Sequence, residues 1–186
     1  INWDFTSGNT PNTNLPGGTT NLSFNTGGTN GTTGCTGSGF STNNWNVNEY
    51  FQIEFSTVGY NLTTMTFNVR SSGTGPLNFR VEYSSTGTGG AFTDLGSNFT
   101  SGNGVCVGRS ADFTSINALD NNANVVVRLV FTGGEADGTP ATGDAAGAGT
   151  FRIDDLVING SAIVVGPEIN VQGNSTTITD GDATPS

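Results

Sequence analysis

The acidic side chains are where this sequence could do chemistry, because the usual partners for other chemistries are missing. There is no His and no Lys, and all five basic residues are Arg. A Ser-His-Asp arrangement would lack its base, and a Schiff base or a Lys–Asn isopeptide crosslink would lack its amine. Carboxylate pairs remain. Glycoside hydrolysis needs two of them about 5–10 Å apart in a cleft, and the fifteen acids here are scattered among loops without singling out such a pair. The chain reads as a non-enzyme.

Asp154–Asp155 is the most informative acidic feature. Two adjacent carboxylates near the end of an apolar strand repel each other unless a cation or hydrogen-bond donors compensate. Calcium suits them, since it takes roughly six to eight oxygens from carboxylates, carbonyls and water. The alternative is that Asp155 accepts from backbone amides or an Arg while Asp154 faces water. No EF-hand or RTX-type repeat accompanies the pair. Glu135, Asp137 and Asp144 form a second loose group in a loop, and Asp180 and Asp182 a third near the end; each is either a further cation site or, the reading preferred here, a solvated loop.

Arg70, Arg80 and Arg128 fall on apolar-alternating segments and are expected on one sheet face with Gln52, Glu54 and Glu82. Such a face either binds a glycan or carries cross-strand ion pairs. Trp3 reads as core. Trp45, within NNWNVN, reads as the more exposed aromatic and the candidate for stacking on a sugar ring. Cys35 and Cys106 have no second Cys or His at metal-ligand spacing. They are expected to form a disulfide, which fits an extracellular compartment; the alternative is two separate buried thiols.

Composition narrows the partners further. A net charge of −10 leaves no basic patch to neutralise phosphates, which excludes nucleic acid. The same charge disfavours anionic membrane surfaces, and no apolar run approaches the roughly 20 residues of a membrane-spanning helix, so direct membrane insertion is not expected. The opening at Ile1, without Met, reads as a mature or excised segment.

The elements that must position these residues are strands. Phe51, Ile53 and Phe55 alternate with Gln52 and Glu54; Met65, Phe67 and Val69 are in phase; Leu77, Phe79, Val81 and Tyr83 alternate with Asn78, Arg80 and Glu82. VVVRLVFT at 125–132 reads as a central strand. In TFRIDDLVIN at 150–159 the apolar phase changes at Asp154–Asp155, which predicts a bulge. Residues 26–44 are small and polar and read as a long loop, as do 133–149. About nine or ten short strands with Gly-rich turns and no helix predict an all-β, antiparallel, jelly-roll-like β-sandwich. A domain boundary falls near Gly166, giving a sandwich over 1–165 and a linker with the first strand or strands of a following module over 166–186.

Three segments carry a family resemblance: W-D-F at Trp3–Phe5, RSSGTGPLNFRVEYSS at Arg70–Ser85 and GTFRIDDLVING at Gly149–Gly160. Together they resemble a β-sandwich module of secreted, multidomain proteins of Bacteroidetes and related bacteria. The D-F start and I-D-D-L finish also resemble MAM-type jelly rolls. The tail, PEINVQGNSTTITDGDATPS, is similar to the opening of a choice-of-anchor, HYDIN/ASPM-type Ig-like module. The resemblance implies that the first strand lies beside the last, which brings Asp4 towards Asp154 and Asp155 as a third ligand for structural calcium. It also implies a bacterial cell-surface or extracellular setting, with export by a route such as type IX secretion. The expected role is a non-catalytic structural or adhesive module. The alternatives are a carbohydrate-binding module and a subunit of a surface filament. Expected partners are neighbouring modules of the same polypeptide, identical subunits, or glycans.

Overall fold

The computed structural model describes residues 1–5, 20–35, 37–136, 145–146 and 149–164. The alternating segments become strands because each has one apolar face to bury. Their number and their Gly-rich connections leave two stacked antiparallel sheets as the means of burying them. In chain order the strands are β1 (Asn2–Trp3), β2 (Asn21–Phe24), β3 (Gly31–Thr33), β4 (Ser38–Thr42), β5 (Trp45–Asn46), β6 (Tyr50–Phe55) and β7 (Tyr60–Ser71). There follow β8 (Pro76–Ser84), β9 (Thr93–Thr100), β10 (Val107–Asp112), β11 (Val125–Glu135), β12 (Ala145–Ala146) and β13 (Phe151–Ala162). A single 3₁₀ turn, Asn117–Leu119, is the only helical piece among the described residues.

Sheet I runs β10-β7-β13-β4-β3, with β1 also paired to β13; sheet II runs β2-β6-β11-β8-β9; β5 and β12 make a separate two-stranded ribbon. The 125–132 strand is indeed central, between β6 and β8. Asn2 pairs with Val157 and Trp3 with Leu156, so the first strand does lie beside the last. The phase change at Asp154–Asp155 is a register break between Asp154 and Val157, with Asp155 in the left-handed region at φ 47°. Acidic and amide side chains tolerate that conformation better than branched ones do.

The expected core is in place. Phe51, Ile53, Phe55, Phe67, Val69, Phe79, Val81, Val127, Leu129, Phe131, Phe151 and Ile153 are all buried between the sheets. The centre is aromatic: Phe79 stacks on Phe151 across the sheets at 4.2 Å between ring centroids, and Phe51 lies 5.4 Å from Phe151. Such pairs add about 0.5–1.5 kcal/mol each beyond the area they bury.

Residues 26–44 are not one long loop: they hold β3 and β4. β4 carries a single large apolar residue, Phe40, so it has no visible alternation. Its strand character comes from its neighbours, since Phe40 pairs with Ile153 and Thr42 with Phe151 of β13. Val107–Asp112 forms a single strand, β10, after which Phe113 turns into the core.

Candidate functional site

The disulfide is formed. Cys35 and Cys106 are joined, with their Cα atoms 5.6 Å apart at a sequence separation of 71. Cys35 lies in the β3–β4 connection, and Cys106 precedes Val107, which opens β10 opposite Val69 of β7. In the order β10-β7-β13-β4-β3 the bridge therefore reaches across β7 and β13 on sheet I.

Asp154 holds this strap from below. Its carboxylate accepts from the Cys35 amide at 2.9 Å and from the Asp155 amide at 2.9 Å, and the residue is buried. The two acids have exchanged the positions expected in the amide-bonded alternative: Asp154 is inside on backbone amides, and Asp155 is exposed, accepting from Asn68 Nδ2 at 2.8 Å. Asp4 follows Trp3 as Asp155 precedes Leu156, so the β1–β13 register sets them at the same level. No group of three or more His, Cys, Asp or Glu that could hold a metal lies together among the described residues. Asp137, Asp144, Asp180 and Asp182 lie outside the described residues, as does the segment read as the start of a second module.

Trp45 is not an exposed platform, which corrects the expectation for that residue. It is fully buried, its Nε1 donates to the Thr42 carbonyl at 3.0 Å, and its ring meets Phe51, Phe79, Phe131 and Phe151 edge-on at 5.1–6.4 Å. The polar flanks that suggested exposure are turn residues. Asn44 and Asn48 both adopt positive φ, which folds the chain tightly on either side of β5 and directs the indole inward.

The expected polar face exists, but without Arg70. The core-facing parity of β6, β11 and β8 leaves Gln52, Glu54, Arg128, Arg80 and Glu82 on the outer side of sheet II. Arg70 belongs to β7 in sheet I. At the centre of the sheet II face the Arg128 guanidinium is held between two rings, 3.9 Å from the Tyr50 centroid and 3.5 Å from that of Phe92. Its Nε donates to Gln52 Oε1 at 2.7 Å, and Gln52 Nε2 donates to Glu54 at 2.9 Å. Cation–π contact on both faces fixes this guanidinium where an exposed arginine would otherwise sample many rotamers. Alongside, Arg80 pairs with Glu82 at 2.6 Å.

This face continues into a groove of about 610 Å³ beside β9, lined by Asn78, Arg80, Asp94, Asn98, Phe99 and Arg109. A second groove of similar volume shares Asn98, Phe99 and Arg109 and reaches Asn68 and Asp155. Phe99 is half-buried, stacked on Phe79 at 5.2 Å with its plane tilted by only 6°. Arg109 donates from Nε and Nη2 to the Thr100 carbonyl, at 2.9 and 2.7 Å, pinning β10 to the β9 edge. The place of Phe99 opposite Phe79 and its edge-on contact with Phe67 at 5.4 Å set the ring on the inner side of sheet II, while Arg80, Asp94 and Asn98 line the outer side. Neither Phe92 nor Phe99 stood out in the sequence. Phe99 is preceded by three polar or glycyl residues after Leu95, and its place opposite Phe79 depends on the β8–β9 register.

No protein-family model matches the sequence, and no curated protein sequence does. Solved structures share the fold. The CBM22-2 xylan-binding domain from Paenibacillus barcinonensis Xyn10C superposes with a TM-score of 0.53 at 12% identity, covering 88% of this chain and 99% of that one. The K2 cleaved adhesin domain of Lys-gingipain (Kgp) superposes with a TM-score of 0.50 at 16% identity, covering 86% of this chain and 98% of that one. The chain is thus an all-β sandwich similar in architecture to a glycan-binding domain and to an adhesin domain.

Proposed function

We propose that this chain is a non-catalytic extracellular module that binds neutral glycans along the groove beside β9 and the adjoining outer face of sheet II. The outward-facing Asn78, Arg80, Asp94 and Asn98 along the β8–β9 edge carry this reading. Amide, guanidinium and carboxylate groups pair with the hydroxyls of a sugar. The sandwich shared with a xylan-binding domain and an adhesin domain supports it. The total absence of His and Lys supports a binding role over a catalytic one. No helix among the described residues is long and apolar enough to cross a membrane.

The test is titration with neutral β-linked oligosaccharides, including xylohexaose and mixed-linkage glucan fragments. Saturable binding is expected, weakened about tenfold by Asn98→Ala, the scale of one good hydrogen bond. Absence of binding across a broad neutral glycan array by folded protein would overturn the reading and leave a spacer module.

The finer assignments belong to the same proposal. They are a MAM-like module of a Bacteroidetes-type surface protein, cell-surface placement, type IX export, and neighbouring modules or identical subunits as partners. The resemblance of Trp3–Phe5 and Gly149–Gly160 supports them; a monomeric chain in size measurement removes the filament form. Structural calcium rests on Asp155 and Asp4 alone, completed by carbonyls and water, and a melting temperature unchanged by chelator removes it.

A further inference from the structure

Three of the five arginines are engaged. Arg80 pairs with Glu82, Arg109 clasps the Thr100 carbonyl, and Arg128 bonds Gln52 between two rings. The other two, Arg70 and Arg152, stand directly opposite each other on neighbouring strands of sheet I. Both are half-buried. Among the described residues no carboxylate lies within ion-pair distance of either, and neither donates a hydrogen bond to another described side chain or carbonyl. The Nε of Arg152 is buried without a partner.

That arrangement has a cost. Like charges directly opposite across a strand pair are destabilising, and a buried donor left unmade loses its hydration for nothing. A chain with fifteen acids and five bases has ample material to neutralise the pair. The acid on the same side of β13, Asp154, two residues beyond Arg152, is turned instead to the amides of Cys35 and Asp155. Burial, and secondly Arg70, hold the Arg152 guanidinium below the usual arginine range, as expected for a cation awaiting a counter-charge.

We infer that Arg70 and Arg152 form a binding site for an oxyanion, a carboxylate or sulfate carried on a glycan. Paired positions on adjacent strands are about 5 Å apart. Two guanidiniums rising from them on one face of sheet I bring their donors to the oxygens of one anion, the charge-assisted interaction at which arginine excels. The site lies on the sheet opposite the neutral-glycan groove. It rests on the proposed function only for the carrier of the anion, not for the anion itself.

The experiment titrates the whole chain, at constant ionic strength, with sodium sulfate and with trigalacturonate, following the arginine Nε–Hε resonances and the melting temperature. Saturable shifts of the Arg152 resonance are expected, with affinity falling about tenfold or more in both Arg70→Gln and Arg152→Gln and unchanged in Asn98→Ala. Tighter binding of trigalacturonate than of sulfate supports a glycan carrier; equal binding supports the oxyanion site with a free ion as its source. Without ligand, Arg70→Gln should raise the melting temperature, because it removes the repulsion. No saturable shift with either probe, or an Arg70→Gln variant that melts lower and binds as wild type, overturns the inference. Neutral oligosaccharide binding measured on Arg152→Gln reports the β9 groove separately, so failure of one site is distinguishable from failure of the other.

Discussion

The outer faces of the two sheets handle charge in opposite ways. On sheet II each cation is matched: Arg128 by Gln52 and two rings, Arg80 by Glu82. On sheet I the two cations face each other, while the buried acid beside them serves the backbone of a disulfide strap. Sheet II is organised from side chain to side chain across paired strands. Sheet I is organised by a covalent bridge and by a carboxylate bonded to amides. One composition, poor in charge and rich in small polar residues, thus supports a finished polar surface and an unfinished one. The unfinished one is where a ligand's charge has a place to go.

Four perturbations test how separate the two faces are. Trp45→Ala acts on both at once, because its indole meets Phe51, Phe79 and Phe131 of sheet II and Phe151 of sheet I. A loss of about 3–5 kcal/mol is expected in denaturant unfolding, whereas a variant that keeps full stability and loses only glycan binding would return Trp45 to the surface. Removing the bridge with Cys35→Ser and Cys106→Ser should cost roughly 4 kcal/mol on the chain-entropy view of a loop this long. Hydrogen exchange should then rise first at β4 and β10 and spare β6 and β11; uniform exchange would make the strap a property of the whole sandwich.

Asp154→Ala leaves the Cys35 amide without its buried acceptor and should cost about 1–3 kcal/mol. The loss should be much smaller once the disulfide has been removed, since both act on the same loop; full additivity would separate them. Smallest are the charge changes. Arg80→Gln should destabilise and Arg70→Gln stabilise, each by about 0.2–1 kcal/mol. Equal signs in equilibrium unfolding would erase the contrast between the faces.

Much of the sandwich was legible because strands announce themselves through alternation. Every core residue expected from Phe51 to Ile153 is buried, and the Asp154–Asp155 phase change marked the bulge. β4 escaped because Ser, Gly and Thr surround one Phe; its strand character is conferred by β13, about 110 residues away. The polar neighbours of Trp45 suggest solvent exposure, whereas left-handed Asn44 and Asn48 make them a turn. The candidate sites were less legible still. That Arg70 faces Arg152 while Arg128 enters the gap between Tyr50 and Phe92 depends on strand order and register, which no local window contains.

The bridge also bears on the order in which the molecule can assemble. Cys35 and Cys106 close a ring that contains β4 to β9, strands drawn from both sheets. In sheet II, β11 lies between the ring strands β6 and β8; in sheet I, β13 lies between the ring strands β7 and β4. Each sheet therefore has a slot that only a later segment of the chain fills. Until residues 125–162 arrive, neither half of the aromatic centre can close, so folding waits for nearly the whole domain to emerge. Pairings this distant in sequence make for slow, all-or-none closure. A chain cut after β10 would be an acceptor with two vacant strand positions, which separately supplied β11 and β13 segments are shaped to fill.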